Sequence, residues 1–127
     1  MTEQEFTELM DSYGFVVEDT STRYLSVNIP NRYNKPMRYI FYYKEPQRLY
    51  PEGELPAGGV EVYPISPVMS IDGYVLDYEV AGYGGEKKFS KVHKLKRFLD
   101  EQMADLREWK TKILETELSW DFCNDDE

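Results

Sequence analysis

The stretch that decides the fold runs from Glu86 to Leu118 and reads EKKFSKVHKLKRFLDEQMADLREWKTKILETEL. It contains neither glycine nor proline, the residues that most often interrupt a helix. Its apolar residues recur at three- and four-residue spacing and form one stripe: Val92, Leu95, Phe98, Leu99, Met103, Leu106, Trp109, Ile113 and Leu114. The pattern predicts one long amphipathic helix, and about thirty residues at 1.5 Å each span about 45 Å.

This predicted helix is longer than the rest of the protein is wide. A compact chain of 127 residues measures about 36 Å across, so the helix must overhang the sheet, bend or pack against another chain. A near-heptad assignment places Gln102 and the bulky Trp109 in the seam, which makes a poor autonomous coiled coil. We therefore expect the helix to pack on a sheet, with a homodimer through the helix as the second use.

The residues before the helix predict a second, short helix and several strands. Thr2 and Glu5 have the spacing of a capping box, and Gly14 ends a helix over 3–13. Alternating apolar residues then predict strands near 15–17, 24–29, 37–44, 60–63 and 74–80. Residues 46–59, with three prolines and three glycines, predict a long loop.

The predicted fold class is therefore α+β. It has a short N-terminal helix, an antiparallel sheet of about four to five strands, and a long C-terminal amphipathic helix packed on the sheet. The length fits one domain, which we assign to 1–118, followed by an acidic-aromatic tail over 119–127.

The charge of the chain is acidic and unevenly distributed. The net charge of -9 argues against general binding of nucleic acid, which depends on Lys and Arg at phosphates. Yet residues 21–51 carry a net +5, residues 87–97 carry six bases, and residues 52–86 carry seven acids and no base. These blocks either face one another in the fold or form separate patches for a charged partner.

Cysteine usage and hydropathy predict a cytoplasmic protein without a membrane span. Cys123 is the only cysteine, so no disulfide forms within the chain, and a reducing compartment is the default. The N-terminal residues 1–5 lack the pattern of a secretory signal. No run of about 18 apolar residues occurs.

Catalytic and metal-binding signatures are absent from the sequence. His93 is the sole histidine, and general acid–base work would need a partner that the sequence does not identify. With one His and one Cys, carboxylates would have to fill most of a zinc shell. The glycines and lysines of 82–88 match neither the Walker pattern nor the dinucleotide fingerprint. The sequence predicts no enzyme, no cofactor and no metal.

The leading functional hypothesis is a non-catalytic protein-binding module whose partner has a basic surface. Rows of carboxylates can occupy a basic groove that normally receives phosphates. The predicted contact residues combine acids with aromatics: Asp72, Asp77, Glu79, Tyr83, Trp120, Asp121, Asp125 and Asp126.

The alternative hypothesis is a binder of single-stranded nucleic acid or nucleotide. Bases interleaved with aromatics form stacking platforms for single strands, and simple alternation over 37–44 places Arg38, Ile40, Tyr42 and Lys44 on one face. The candidate residues lie in this strand and at the start of the predicted long helix: Arg38, Tyr42, Lys44, Lys87, Lys88 and Lys91. The acidic total weighs against this alternative.

The opening 1–19, MTEQEFTELMDSYGFVVED, resembles the starts of small accessory proteins encoded by phages and mobile elements of Gram-positive bacteria. In those proteins a short capped helix ending in glycine likewise leads into a small meander, and the likeness covers about the first 30 residues. The resemblance implies a small, acidic, non-enzymatic protein of a class in which some members, anti-CRISPR proteins among them, disable host defence enzymes. A phage-encoded member of this class would act in the host cell cytoplasm. The resemblance carries no site residue over to this chain.

Overall fold

The computed structural model describes residues 1–49 and 53–125, with side-chain surroundings for 1–46 and 56–118. The first element is helix α1, Glu3–Ser12. The Thr2 hydroxyl accepts from the Glu5 backbone N–H at 3.1 Å, and the Glu5 carboxylate accepts from the Thr2 N–H at 2.9 Å. This confirms the predicted capping box. Gly14, with φ of 75°, then turns the chain toward the first strand.

Nine strands in the described residues form three antiparallel sheets. The strands are β1 Val17–Glu18, β2 Tyr24–Pro30, β3 Pro36–Tyr43, β4 Gln47–Leu49, β5 Gly53–Leu55, β6 Val60–Val62, β7 Ile65–Met69, β8 Val75–Val80 and β9 Lys87–Phe89. Five of them make the main sheet, in the order β1-β2-β3-β6-β9, which confirms the predicted α+β class. Two hairpins, β4–β5 and β7–β8, form the smaller sheets.

Helices α1 and α2, the latter Val92–Asp125, cover one face of the main sheet, which we call the inner face. The core between them is apolar, and its burial is the main source of stability. Its fully buried side chains come from both helices and three strands: Phe6, Met10, Val27, Tyr39, Ile40, Val60, Val62, Leu95 and Leu99. The β7–β8 hairpin extends this core along α2 through Ile65, Val75 and Tyr78, which join Leu106 and Ile113.

A buried glutamine ties α2 to two strands. The side-chain oxygen of Gln102 accepts from the backbone N–H of Ile65 at 2.6 Å and from the hydroxyl of Tyr39 at 3.1 Å. Its amide nitrogen donates to the Ile65 carbonyl at 3.3 Å. Gln102, which would weaken the seam of a coiled coil, therefore fixes the β7–β8 hairpin to the helix instead.

Three sequence-based boundaries were wrong. The predicted loop over 46–59 contains the β4–β5 hairpin, because none of its three prolines falls within either three-residue strand. The long helix begins at Val92 and not at Glu86, because Lys87–Phe89 pairs with β6. An exposed sheet edge offers backbone hydrogen bonds that local helix propensity does not anticipate. At its other end the helix runs past the predicted boundary at Leu118 to Asp125.

Candidate functional site

The face of the main sheet that points away from the helices, here the outer face, is set by a bulge in β3. Val27 pairs with Ile40, but the next residue, Asn28, pairs with Arg38, so Tyr39 is an extra residue. Tyr39 is consequently turned inward to Gln102, and Arg38 lies outward. The predicted face that joined Arg38 to Ile40 and Tyr42 is therefore wrong, since simple alternation does not allow for a bulge.

Four aromatic rings pack together on the outer face and form what we call the outer aromatic cluster: Tyr24, Phe41, Tyr43 and Tyr63. Phe41 lies at the centre and is 9 % exposed. Its ring centroid is 5.3 Å from that of Tyr24 and 5.9 Å from that of Tyr63, both edge-on, and 6.4 Å from that of Tyr43. Edge-on and offset rings are favourable geometries, so the cluster stabilises the sheet face that lies opposite α1 and α2.

A single carboxylate is buried in this cluster. Glu61 lies on β6 opposite Phe41 of β3 and Lys88 of β9, and only 7 % of it is exposed. Burial and the nearby charge of Glu86 raise the pKa of its carboxyl. Hydrogen bonding from Tyr43, the charge of Lys88 and hydrogen bonding from Tyr63 act in the opposite direction, and the pKa stays above its ordinary value.

Glu61→Gln is expected to stabilise the protein relative to the wild type as the pH rises. Because the folded state holds the Glu61 proton more tightly than the unfolded state, wild-type stability is lost from about the ordinary pKa of 4.5 upward through the raised pKa. The amide does not titrate and avoids this loss. Thermal unfolding of both proteins at pH 4 and pH 7 measures the difference in stability. If the advantage of the variant over the wild type does not grow from pH 4 to pH 7, the raised pKa of Glu61 is contradicted.

A groove of about 270 Å³ lies beside the cluster, and we call it the outer groove. Its lining joins β3 and the residue after β6 to the end of β8 and the segment that follows: Arg38, Phe41, Tyr63, Val80, Ala81 and Tyr83. Tyr83 is 99 % exposed, so its ring forms one wall without contributing to the core. Aromatic faces next to carboxylates are the chemistry that holds a guanidinium or ammonium group.

The structure separates the residues predicted to contact a protein partner. Tyr83 lines the outer groove, and Glu79 is exposed on the adjoining strand β8. Asp72 lies at the exposed tip of the β7–β8 hairpin, and the Asp77 carboxylate accepts from the Tyr78 backbone N–H at 2.7 Å. The remaining four belong to the C-terminal end: Trp120, Asp121 and Asp125 are on α2 with side chains outside the described surroundings, and Asp126 lies outside the described residues.

The predicted nucleic-acid platform is also divided. Tyr42 is buried on the inner face, with its ring 5.1 Å from that of Phe6 and its hydroxyl donating to the Met1 carbonyl at 3.2 Å. It cannot stack on a base. The Lys44 amine contacts Asp19 at 2.7 Å. Of the other four, Arg38 and Lys88 lie on the outer face, Lys87 is 5.8 Å from the Phe98 ring at the inner edge, and Lys91 is exposed before α2.

Sequence reasoning did not identify Glu61 or its tyrosine neighbours as a site. In a strand with period two, an acid between Val60 and Val62 is typical of a solvated outer position. Its burial depends on Phe41 of the neighbouring strand β3 and on Tyr63, the residue that follows β6. The sequence signal that could have indicated this site is the pair of alternate aromatics in β3, Phe41 and Tyr43, which share one face of the strand.

Metal and membrane features do not occur in the part of the chain that the structure describes. Within it, no group of three or more His, Cys, Asp and Glu side chains is arranged to hold a metal ion. No helix in the same residues combines the length and apolarity needed to cross a membrane.

No family model matches the chain, and neither a curated protein nor a solved structure matches it.

Proposed function

We propose that this protein is a non-catalytic binding module that engages a basic protein surface through its outer face. The observation that carries the proposal is the buried carboxylate of Glu61, which is enclosed by the outer aromatic cluster. Two rings of that cluster, Phe41 and Tyr63, also line the outer groove. Burying a carboxylate is costly unless a cation or hydrogen bonds compensate it. The raised pKa of Glu61 indicates that the protein compensates it only in part.

A cationic side chain of a partner would complete this compensation. An arginine stacks on aromatic rings and pairs with carboxylates in the same contact. In the outer groove it would meet the rings of Phe41, Tyr63 and Tyr83. The carboxylates of Glu61 and Glu86 lie close to Tyr63, and the guanidinium-bearing Arg38 of this chain also lines the groove. Tyrosine is also among the residues that contribute most to binding energy at protein interfaces.

The charge of the whole chain favours approach of the same partner. A net charge of -9 attracts a basic surface over distances beyond direct contact and accelerates association at low salt. Enzymes that process nucleic acid have basic surfaces for phosphates. The proposal therefore includes inhibition of such an enzyme, of the counter-defence kind that the N-terminal resemblance implies.

Binding to defined peptides tests the proposal. The probe is a fluorescent 12-residue peptide of alternating Arg and Ser, and the control is the same peptide with Glu in place of Arg. We expect fluorescence anisotropy to show binding of the Arg peptide alone at about 50 mM salt, weakening as salt is added. Equal binding of both peptides, or no binding of the Arg peptide at millimolar protein, would refute the proposal.

A single-stranded nucleic-acid binder is the second candidate, favoured by one observation. Arg38 and Lys88 both lie on the outer face beside the aromatic rings. An electrophoretic shift assay with a single-stranded oligonucleotide at about 50 mM salt decides it. A shift that the double variant Arg38→Ala with Lys88→Ala abolishes supports this candidate, and no shift at micromolar wild-type protein removes it.

A further inference from the structure

The distal half of α2 has an exposed apolar strip. Leu114 and Leu118, one helical turn apart, are 60 % and 61 % exposed, and Tyr33 is 69 % exposed. A cavity of about 490 Å³ lies between the turn after β2 and the helix, lined in part by Tyr33, Lys110 and Leu114. Within the described surroundings, Ile113 is the last helix residue in the core. Exposed apolar side chains grouped in this way are typical of an interaction surface.

The charges along this strip are ordered. At 100° per residue, six helix positions fall within an arc of about 80° on one side of α2. Two bases precede the leucines and two acids follow them: Arg107, Lys110, Leu114, Leu118, Asp121 and Asp125. Arg107 is seven residues before Leu114, and Asp125 is seven residues after Leu118. The order of charges along the strip is therefore complementary to that of a second strip that runs antiparallel to it.

We propose that this strip binds the same strip of a second copy of the chain, with the two helices antiparallel. A two-fold axis near position 116 places Leu114 against Leu118 of the second copy and Arg107 against its Asp125. Lys110 then lies near Asp121 of the second copy. A two-fold interface of this kind is self-complementary by construction, and the antiparallel arrangement is also favourable for the two helix dipoles.

A parallel arrangement or a foreign acidic or basic partner fits the strip less well. Parallel helices in register would place Arg107 against Arg107 and Asp125 against Asp125, and like charges at an interface are unfavourable. A uniformly charged partner would match one half of the strip and repel the other half. The proposal is independent of the outer face, which lies on the other side of the main sheet from α2.

Charge exchange tests the proposed dimer on the full-length chain by sedimentation velocity. We expect wild-type protein at about 100 µM to contain a reversible dimer, as suits a small helix–helix interface. The double variants Arg107→Glu with Lys110→Glu, and Asp121→Lys with Asp125→Lys, each place like charges opposite one another. Each should raise the dimer Kd at least about tenfold, and an equimolar mixture of the two should restore a dimer containing one chain of each.

The matched control changes the same charges on the other side of the helix. Glu101 and Asp105 are exposed there, and Glu101→Lys with Asp105→Lys should leave the dimer Kd within about threefold of wild type. Monomeric wild type at about 100 µM overturns the proposal. So does a mixture of the two reversed variants that stays monomeric, or a control that dissociates as readily as the variants of the strip.

Discussion

Gln102→Leu is expected to lower the free energy of unfolding by about 3 to 5 kcal/mol, although leucine is apolar and of similar size. The change leaves the Ile65 N–H, the Ile65 carbonyl and the Tyr39 hydroxyl without the partner that they share in the core. Each buried polar group that loses its partner costs about 1–3 kcal/mol. Urea denaturation followed by circular dichroism measures the loss.

The control for this substitution is Gln4→Leu on the exposed face of α1, where the side chain contacts only Glu8 in a solvent-exposed hydrogen bond. That change should alter the free energy of unfolding by less than about 0.5 kcal/mol. If Gln102→Leu costs less than about 1 kcal/mol, the glutamine does not anchor the β7–β8 hairpin as the structure indicates.

Tyr83→Ala is expected to weaken binding of the Arg peptide about ten- to hundredfold while leaving the melting temperature unchanged. A tyrosine at the centre of an interface commonly contributes 2 kcal/mol or more, which corresponds to about thirtyfold in Kd. Tyr83 is 99 % exposed in the free protein, so its removal costs no core packing. Anisotropy titration and thermal unfolding of the same preparation separate the two effects.

Tyr74→Ala is the matched control for Tyr83→Ala. Tyr74 is also an exposed tyrosine, at 52 %, but it lies at the tip of the β7–β8 hairpin near α2 and not at the outer groove. Its removal should change the Kd by less than about twofold. Equal losses of affinity in the two variants would show that the peptide binds exposed tyrosines in general and not the outer groove.

The elements that could be predicted from the sequence are those fixed by local chemistry. The capping box at Thr2 and Glu5, the stripe of α2 and the strands β2 and β3 each lie within one segment, and all appear in the structure, although a bulge breaks the predicted alternation of β3. The start of α2 did not follow from local chemistry. The segment 87–89 is compatible with a helix by propensity, and β6, about 25 residues earlier, converts it to an edge strand.

The candidate site could not be predicted because it depends on contacts between distant segments. The bulge at Tyr39 places Arg38 on the outer face. A simple alternating pattern does not reveal a bulge and would place Arg38 on the same face as Ile40. Glu61 becomes buried only when β3 and β9 flank it and Tyr43 and Tyr63 pack around it. Acidic residues chosen by composition alone, such as Asp72, therefore lie away from the groove.

The most direct test of the proposed function is to map where the Arg peptide binds. Isotope-labelled protein is titrated with the peptide, and backbone amide chemical shifts are followed by NMR. The proposal predicts shifts concentrated on the outer face, in residues 24–28, 38–43, 61–63 and 83–88. Shifts confined to the exposed acids of α1, with none on the outer face, would contradict it.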